Sequence, residues 1–297
     1  MVQYFLDPAC TDYAGSSVLN TTAVSVHSDF QEGGSSRDLT ILLACRPFFY
    51  EAEIPSIACG TTLNGDYLWN LSHALINASY ETAFIQGIQD STLNPTLFGS
   101  YTLDDAVYVY RCVENWNKLI LKARKENASD HTLAFFQERS TSYLAYYEFM
   151  AADWHIANPD GIKLSAAVQN YIDLQAWVTD SPASYIYSLV TMLPCERLWP
   201  ELARRASAHQ QPGKLNLYGS WITDNLEDKR RTEKLFNRLV VPAVQAGVVD
   251  MQVAVEIYLA AMACERNFFL SGGGESFPDF TGQFEGVKAV VLAATQQ

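Results

Sequence analysis

The sequence is poor in charge, and poorest in positive charge. Charged residues make up 18% of the 297 positions, with 20 Lys and Arg against 33 Asp and Glu, which gives a formal net charge of −13. Proteins that bind nucleic acids or anionic membranes need a basic face. The composition therefore argues against partners of both kinds.

Long hydrophobic runs and paired cysteines are also missing. No run approaches the roughly 20 apolar residues that cross a bilayer, and the start MVQYFLDPAC has neither a basic beginning nor the apolar run of a secretory signal. The six cysteines are widely spaced and include no C-x-x-C pair, which argues against a disulfide framework or a zinc site. We expect a reduced, cytoplasmic protein without a membrane span.

Metal-binding and phosphate-binding motifs are absent too. The five histidines include no H-x-x-x-H and no E-x-x-H pattern, and no G-x-S-x-G or phosphate loop is present. Glu148 and His155 lie two turns apart on one predicted helix face, which keeps a carboxylate-bridged metal site as an alternative. The expectation from the residues is that there is no metal.

What is present is helical periodicity. Residues 1–66 contain Gly-Ser runs and short apolar pieces, and we interpret them as an extension packed on a helical domain at 67–297. Strand-like alternation is nearly absent, so the predicted fold class is all-α. The predicted helices cover about 66–90, 103–126, 130–154, 164–180, 183–207, 216–246 with a break near Pro242, and 250–272, and the tail is ambiguous.

Two predicted helices direct a carboxylate toward the core. Steps of three and four along the last helix place Glu265 on the same face as apolar and aromatic residues. An unpaired buried carboxylate is costly, so it must form a salt bridge, bind a proton or take part in chemistry.

The same stepping along the 103–126 helix places Glu114 inward, with Asn115 and Lys118 beside it. Thr102 is a possible N-cap for this helix. Asp104 and Asp105 would then complement the helix N-terminus.

The stretch SLVTMLPCERLW, at 188–199, places Pro194 and Cys195 inside a predicted helix. A proline in a helix interior costs about 3 kcal/mol. A kink there would open space and let the sulfur of Cys195 project into a cavity. Cys195 is either a nucleophile, for which it needs a lowered pKa or a nearby base such as Glu265 or a tyrosine, or a small buried hydrophobic residue.

The order of these elements resembles the TenA/thiaminase II family, specifically its cysteine-bearing class, over about 67–297. The helical Tyr171 comes first and is followed by M-L-P-C, which ends at Cys195. A Y-x-x-W-I element then begins at Tyr218, and a late E-x-x-F runs from Glu265 to Phe268. The resemblance implies a haem-oxygenase-like up-and-down helical bundle without haem or other cofactor. It also implies a homo-oligomer, a dimer or tetramer, with a small-molecule substrate.

Enzymes of that family hydrolyse a C–N bond of thiamin or of an aminopyrimidine relative. The resemblance implies that Cys195 is the nucleophile and Glu265 the acid/base. It further implies that Tyr171 and Tyr218 are pocket residues and that Phe268 is a wall that packs against the substrate ring.

Two departures from the family point to a changed substrate. The family's first-helix motif Q-D-Y-x-Y-L supplies a carboxylate and a phenol, and the matching stretch is taken as ENWNKL at 114–119. That register places Asn115 at the aspartate and Lys118 at the second tyrosine, with Glu114 as a substitute carboxylate. Trp199 stands one turn after the cysteine, where tyrosine is usual, and these changes predict divergence from thiamin.

Three alternatives to hydrolysis stay open at this point. The first is a cofactor-free cyclase or condensation-type tailoring enzyme of secondary metabolism on the same fold. The second is a non-catalytic small-molecule binder, and the third is a di-iron oxidase.

Overall fold

The computed structural model describes residues 61–210, 213 and 215–296, and within them all regular structure is helical. The expectations for residues 1–60 lie outside the described part, and the division near residue 66 stays a prediction. Residues 62–297 form one compact unit. Its helices are α1 Gly65–Leu71, α2 His73–Tyr80, α3 Ala83–Asp90, α4 Pro95–Lys125, α5 Asp130–Asp153, α6 Ala166–Asp180, α7 Tyr185–Val190, α8 Leu193–Ala208, α9 Gly219–Asp224, α10 Arg231–Gln245, α11 Met251–Gly272 and α12 Thr281–Ala294.

The centre of this unit is α11. Its residues are apolar or small around most of the circumference, and it packs against α2, α3, α4, α6, α7, α8 and α12. A helix that is hydrophobic all round is buried. The carboxylate of Glu265, in the middle of this helix, is therefore surrounded by protein.

Periodicity alone predicts single long helices at 66–90 and 216–246. Polar residues at helix ends divide them into shorter ones. The region 66–90 contains three helices, because Ser72 separates α1 from α2 and the side chain of Thr82 accepts a hydrogen bond from the backbone N–H of Ile85 at the start of α3. The region 216–246 contains two, and α10 continues through Pro242 to Gln245. The ambiguous tail contains α12.

The start of α4 lies eight residues earlier than the sequence predicts. Asn94 is the N-cap, its side chain accepts from the N–H of Thr96, and Pro95 occupies the first turn. Thr102 donates instead to the carbonyl of Phe98 inside the helix. Asp104 and Asp105 are consequently mid-helix residues that are both buried, so the prediction that they complement a helix N-terminus is wrong.

The predicted interior kink at Pro194 is also wrong. The chain leaves the helical path between α7 and α8, and Pro194 lies in the first turn of α8. A proline there costs little, because the first turn has no internal partner for its missing N–H. The break places Cys195 at the beginning of a helix that packs against α11.

Candidate active site

Glu265 is almost completely buried, and two side-chain donors hold its carboxylate. The hydroxyl of Tyr171 on α6 donates to Oε1 at 3.0 Å, and the indole Nε1 of Trp199 on α8 donates to Oε2 at 3.0 Å. Burial raises the pKa of Glu265 to about 7, and the two hydrogen bonds partly oppose that rise. Near neutral pH the carboxyl group can therefore both accept and release a proton.

Cys195 carries a protonated thiol next to this carboxylate. Its Sγ donates to the carbonyl of Met192 at 3.2 Å. The pKa of the thiol is raised well above its ordinary value, first by burial and then by the negative charges of Glu265 and Glu196. Of the two ways to activate Cys195, a lowered pKa is not what Glu265 provides, because a like charge disfavours the thiolate.

One cation lies near the thiol and partly opposes these effects. Arg139 on α5 pairs with Glu196 at 3.1 Å and stacks over the ring of Tyr143 at 5.0 Å. Its positive charge lowers the pKa of Cys195. Glu196 also accepts from the backbone N–H and the hydroxyl of Thr232, which fixes the ion pair to the start of α10.

A second buried carboxyl group belongs to Asp105 on α4, which was not predicted from the sequence to lie at the site. Among the described residues it forms no hydrogen bond and no ion pair. Burial raises its pKa to about 8, and repulsion from Glu265 and then Asp104 adds to that rise. Asp105 is therefore mainly protonated at neutral pH, where its O–H is a donor.

Tyr108 lies one turn after Asp105 and faces the same side of α4. Its ring stacks on Tyr171 with centroids 5.0 Å apart, and its oxygen accepts from Nε2 of Gln175 at 2.8 Å. Asp105 and Tyr108 have the three-residue spacing of the carboxylate and second phenol in Q-D-Y-x-Y-L. The signal was present in the sequence, and the wrong helix start concealed it.

The register that used 114–119 is corrected by the position of these side chains. Glu114 is 57% exposed, and Lys118 forms surface ion pairs with Glu114 at 3.4 Å and with Asp180 at 2.9 Å. Asn115 is buried, but ten residues of helix separate it from Asp105, a distance of about 15 Å. The buried stripe of α4 contains Tyr101, Asp105, Tyr108, Cys112, Asn115 and Leu119.

The other predicted pocket residues divide into an inner and an outer group. Tyr171, Trp199 and Phe268 are in or against the Glu265 site, and Phe268 stacks on Tyr101 with centroids 4.8 Å apart. Tyr218 is buried, but its hydroxyl donates to the carbonyl of Leu93 at 2.5 Å and its ring packs on Phe98. Tyr218 therefore packs behind the aromatic rings that line the Glu265 site.

Aromatic rings from five helices form one continuous cluster beside the carboxyl groups. Its members are Phe84, Tyr101, Trp199, Trp221, Phe268 and Phe269. The hydroxyl of Tyr101 and the indole N–H of Trp221 are buried without a hydrogen-bond partner among the described residues. A planar aromatic ligand suits such surroundings, because stacked and edge-on ring contacts stabilise it.

Within the described part of the chain, no group of three or more His, Cys, Asp or Glu could hold a metal ion. Glu148 and His155 are both exposed, and α5 ends at Asp153 before it reaches the histidine. The two residues do not share a helix face, so the structure offers no basis for the di-metal alternative.

No described helix is long and apolar enough to span a membrane.

Comparison with known proteins identifies the family of this helical bundle. The model of the TENA/THI-4/PQQC family matches residues 72–272. The chain therefore belongs to that family. None of the curated proteins is significantly similar to the sequence.

Solved structures show the same fold at low sequence identity. A TenA family protein from Silicibacter sp. TM1040, called a transcription regulator, is 16% identical with a TM-score of 0.58, over 70% of this chain and 95% of that one. The TenA homologue of P. horikoshii gives 15% and 0.59, over 70% and 97%. That of Pyrococcus furiosus gives 14% and 0.57, over 70% and 98%.

Proposed function

We propose that the protein is a thiaminase II-type hydrolase that cleaves a C–N bond of an aminopyrimidine-like heteroaromatic amine. Cys195 is the nucleophile and Glu265 the acid/base. The observation that carries the proposal is the fully buried carboxyl of Glu265, with a pKa of about 7, whose charge acts on the thiol of the half-buried Cys195. General acid–base groups work best when their pKa lies near the operating pH.

The chemistry follows from the protonation states of these two groups. Ionised Glu265 takes the proton of Cys195 as the sulfur forms a bond to a ring carbon of the substrate. Protonated Glu265 then gives that proton to the departing amine nitrogen as the C–N bond breaks. Water then adds its oxygen to the carbon that lost the amine, the C–S bond breaks, and the remaining proton of the water restores the thiol. The sum is a substrate and water giving a hydroxyl compound and an amine.

Asp105 and Tyr108 support an aminopyrimidine as the substrate. Protonated Asp105 offers both a donor and an acceptor, and this pair matches a ring nitrogen beside an exocyclic amine. Lys118 is on the surface, so Asn115 and Lys118 give no reason to expect divergence from thiamin. Trp199 remains a departure from the family.

Turnover of thiamin and of simple 4-aminopyrimidines by the purified protein tests the proposal. We expect Cys195→Ser and Glu265→Gln each to lower kcat by at least about 100-fold, the lower end of acid–base contributions. Arg204→Gln, on the exposed face of α8, is the matched control and should leave kcat unchanged.

Ligand affinity should survive in both site variants. Binding without turnover in the wild-type protein would instead identify a non-catalytic binder. Full activity in Cys195→Ser would exclude the nucleophilic route.

The assembly and the cellular location also remain proposals. The family implies a homo-oligomer in the cytoplasm. Two large apolar side chains of α5, those of Leu144 and Phe149, are exposed, which supports an interface. Light scattering that shows a monomer at micromolar concentration would exclude the oligomer.

A further inference from the structure

The two donors that hold Glu265 differ in what they can do. The hydroxyl of Tyr171 can donate and accept a hydrogen bond, whereas the indole N–H of Trp199 can only donate. Oε2 therefore always faces a hydrogen-bond donor, and Oε1 faces a hydroxyl that can either donate or accept a hydrogen bond. A tyrosine at position 199 would remove this difference.

Tyr171 has one proton and two acceptors within reach. Its hydroxyl oxygen is 3.0 Å from Oε1 of Glu265 and 3.1 Å from the carbonyl of Thr191. Tyr171 and Thr191 are both buried, and one O–H can make only one strong hydrogen bond at a time. The direction of the Tyr171 hydroxyl must therefore depend on the charge of Glu265.

We propose that Trp199 and Tyr171 are positioning residues that place the proton of Glu265 on Oε1 and keep this carboxyl hydrogen-bonded in both protonation states. When Glu265 is ionised, Tyr171 donates to Oε1. When Oε1 is protonated, it donates to Tyr171, whose O–H turns to the carbonyl of Thr191. Protonation of Oε2 would leave the N–H of Trp199 on a hydroxyl oxygen, which is a weaker acceptor than a carbonyl oxygen.

This arrangement uses two backbone carbonyl groups at the break between α7 and α8. That of Thr191 accepts from Tyr171 and, at 3.4 Å, from Nε2 of Gln175, and that of Met192 accepts from the thiol of Cys195. We call this exchange of hydrogen bonds between Glu265, Tyr171 and Thr191 the relay, and its catalytic use rests on the proposed function. Rotation of one hydroxyl is enough to change its state, so Glu265 can exchange a proton without movement of heavy atoms.

Several titratable groups surround Glu265 and must be separated from it in a test. They are Tyr101, Asp105, Tyr108 and Cys112 on α4, Tyr171 on α6, Cys195 on α8, and Tyr258 and Cys264 on α11. Burial raises the pKa of every phenol and thiol in this set above its ordinary value. Asp105 is therefore the neighbour that titrates close to Glu265.

The emission of Trp199 reports the charge of Glu265 without any substrate. We expect the tryptophan emission of the wild-type protein to change near pH 7, and we expect this change to disappear in Trp199→Phe and in Glu265→Gln. Tyr171→Phe should move the midpoint upward by about one pH unit, because a donor to the carboxylate is lost. Tyr258→Phe is the matched control, since this buried tyrosine lies near Glu265 without donating to it, and it should leave the midpoint unchanged. Asp105→Asn should keep the transition and leave its midpoint nearly unchanged, because Asp105 is still mainly protonated where Glu265 titrates.

A second measurement uses stability. The amide in Glu265→Gln can accept from Trp199 and donate to Tyr171, as protonated Glu265 does. We therefore expect Glu265→Gln to unfold at pH 6 at the wild-type denaturant midpoint, and Glu265→Leu to unfold earlier.

The proposal is overturned if the wild-type protein shows no transition, if Tyr171→Phe leaves the midpoint in place, or if Gln and Leu at position 265 are equally destabilising. Because neither measurement needs turnover, a failed thiaminase assay would reject the proposed function and leave the relay standing. Failure of the relay would likewise leave hydrolysis by Cys195 and Glu265 intact.

Discussion

Asp105 is the residue that separates the two registers of α4. If it binds the polar edge of the substrate as a protonated acid, Asp105→Leu should lower kcat/KM by roughly 10- to 100-fold, since two hydrogen bonds of about 0.5–1.5 kcal/mol each are lost. Glu114→Gln is the matched control on the same helix, where the side chain is exposed and pairs with Lys118. Steady-state kinetics with any aminopyrimidine that is turned over measures kcat/KM for both variants. An equal loss in Glu114→Gln would restore the earlier register.

Short motifs in a specific order single out Cys195, Glu265 and Phe268 in the sequence. Tyr171 and Trp199 were expected near them from their places along the chain, and the catalytic roles stay proposals. Their chemistry was less predictable. The pKa of Cys195 is raised because burial and then the carboxylate of Glu265 act in the same direction, and neither the burial nor the position of that charge can be read from the sequence.

The break between α7 and α8 is the element on which the site depends most. Pro194 lies in the first turn of α8, so we expect Pro194→Ala to change the free energy of unfolding by less than about 1 kcal/mol. A proline in a helix interior would give a different result, because its removal would stabilise the protein by about 3 kcal/mol. Urea unfolding distinguishes the two.

Leu198→Ala on the same helix supplies the contrast. Leu198 is fully buried, and the loss of its side chain should cost about 2–5 kcal/mol. A stabilisation of several kcal/mol in Pro194→Ala would mean that α7 and α8 are one kinked helix.

Periodicity predicted that these elements are helical, but not where they end. Caps decided the ends: Thr82 separates α3 from α2, and Asn94 starts α4 eight residues before the predicted position. Asn, Ser and Thr also occur inside helices and on surfaces, so their positions alone do not identify caps. The error at Asn94 led directly to the missed Asp105.

At the scale of the whole molecule, the all-α bundle was predictable from composition and period. The apolar circumference of α11 required a central position, and the other helices had to cover it. Hydrophobic periodicity did not predict that α4, α6 and α8 pack around Glu265, because several arrangements of the helices bury the same apolar faces. The resemblance to TenA proteins supplied that arrangement.

Two buried carboxyl groups with raised pKa values predict how the stability of the whole molecule depends on pH. The pKa of Glu265 rises from 4.5 to about 7, and that of Asp105 from 3.8 to about 8. Between those values the folded chain keeps protons that the unfolded chain has released. The free energy of unfolding must therefore fall as the pH rises from about 4.5 to 8, by at most about 3 kcal/mol from Glu265 alone.

Urea unfolding at intervals from pH 5 to 8.5 measures this dependence. The double variant Glu265→Gln plus Asp105→Asn keeps neutral groups of the same size and should show a much flatter profile, with its largest gain in stability over the wild type at pH 8. Lys118→Gln is the control for surface charge, because its ion pairs are solvent-exposed and contribute about 1 kcal/mol or less. A wild-type protein that is equally stable at pH 5 and pH 8 would mean that these carboxyl groups are hydrated in solution, and the pH 7 acid/base role of Glu265 would lose its physical basis.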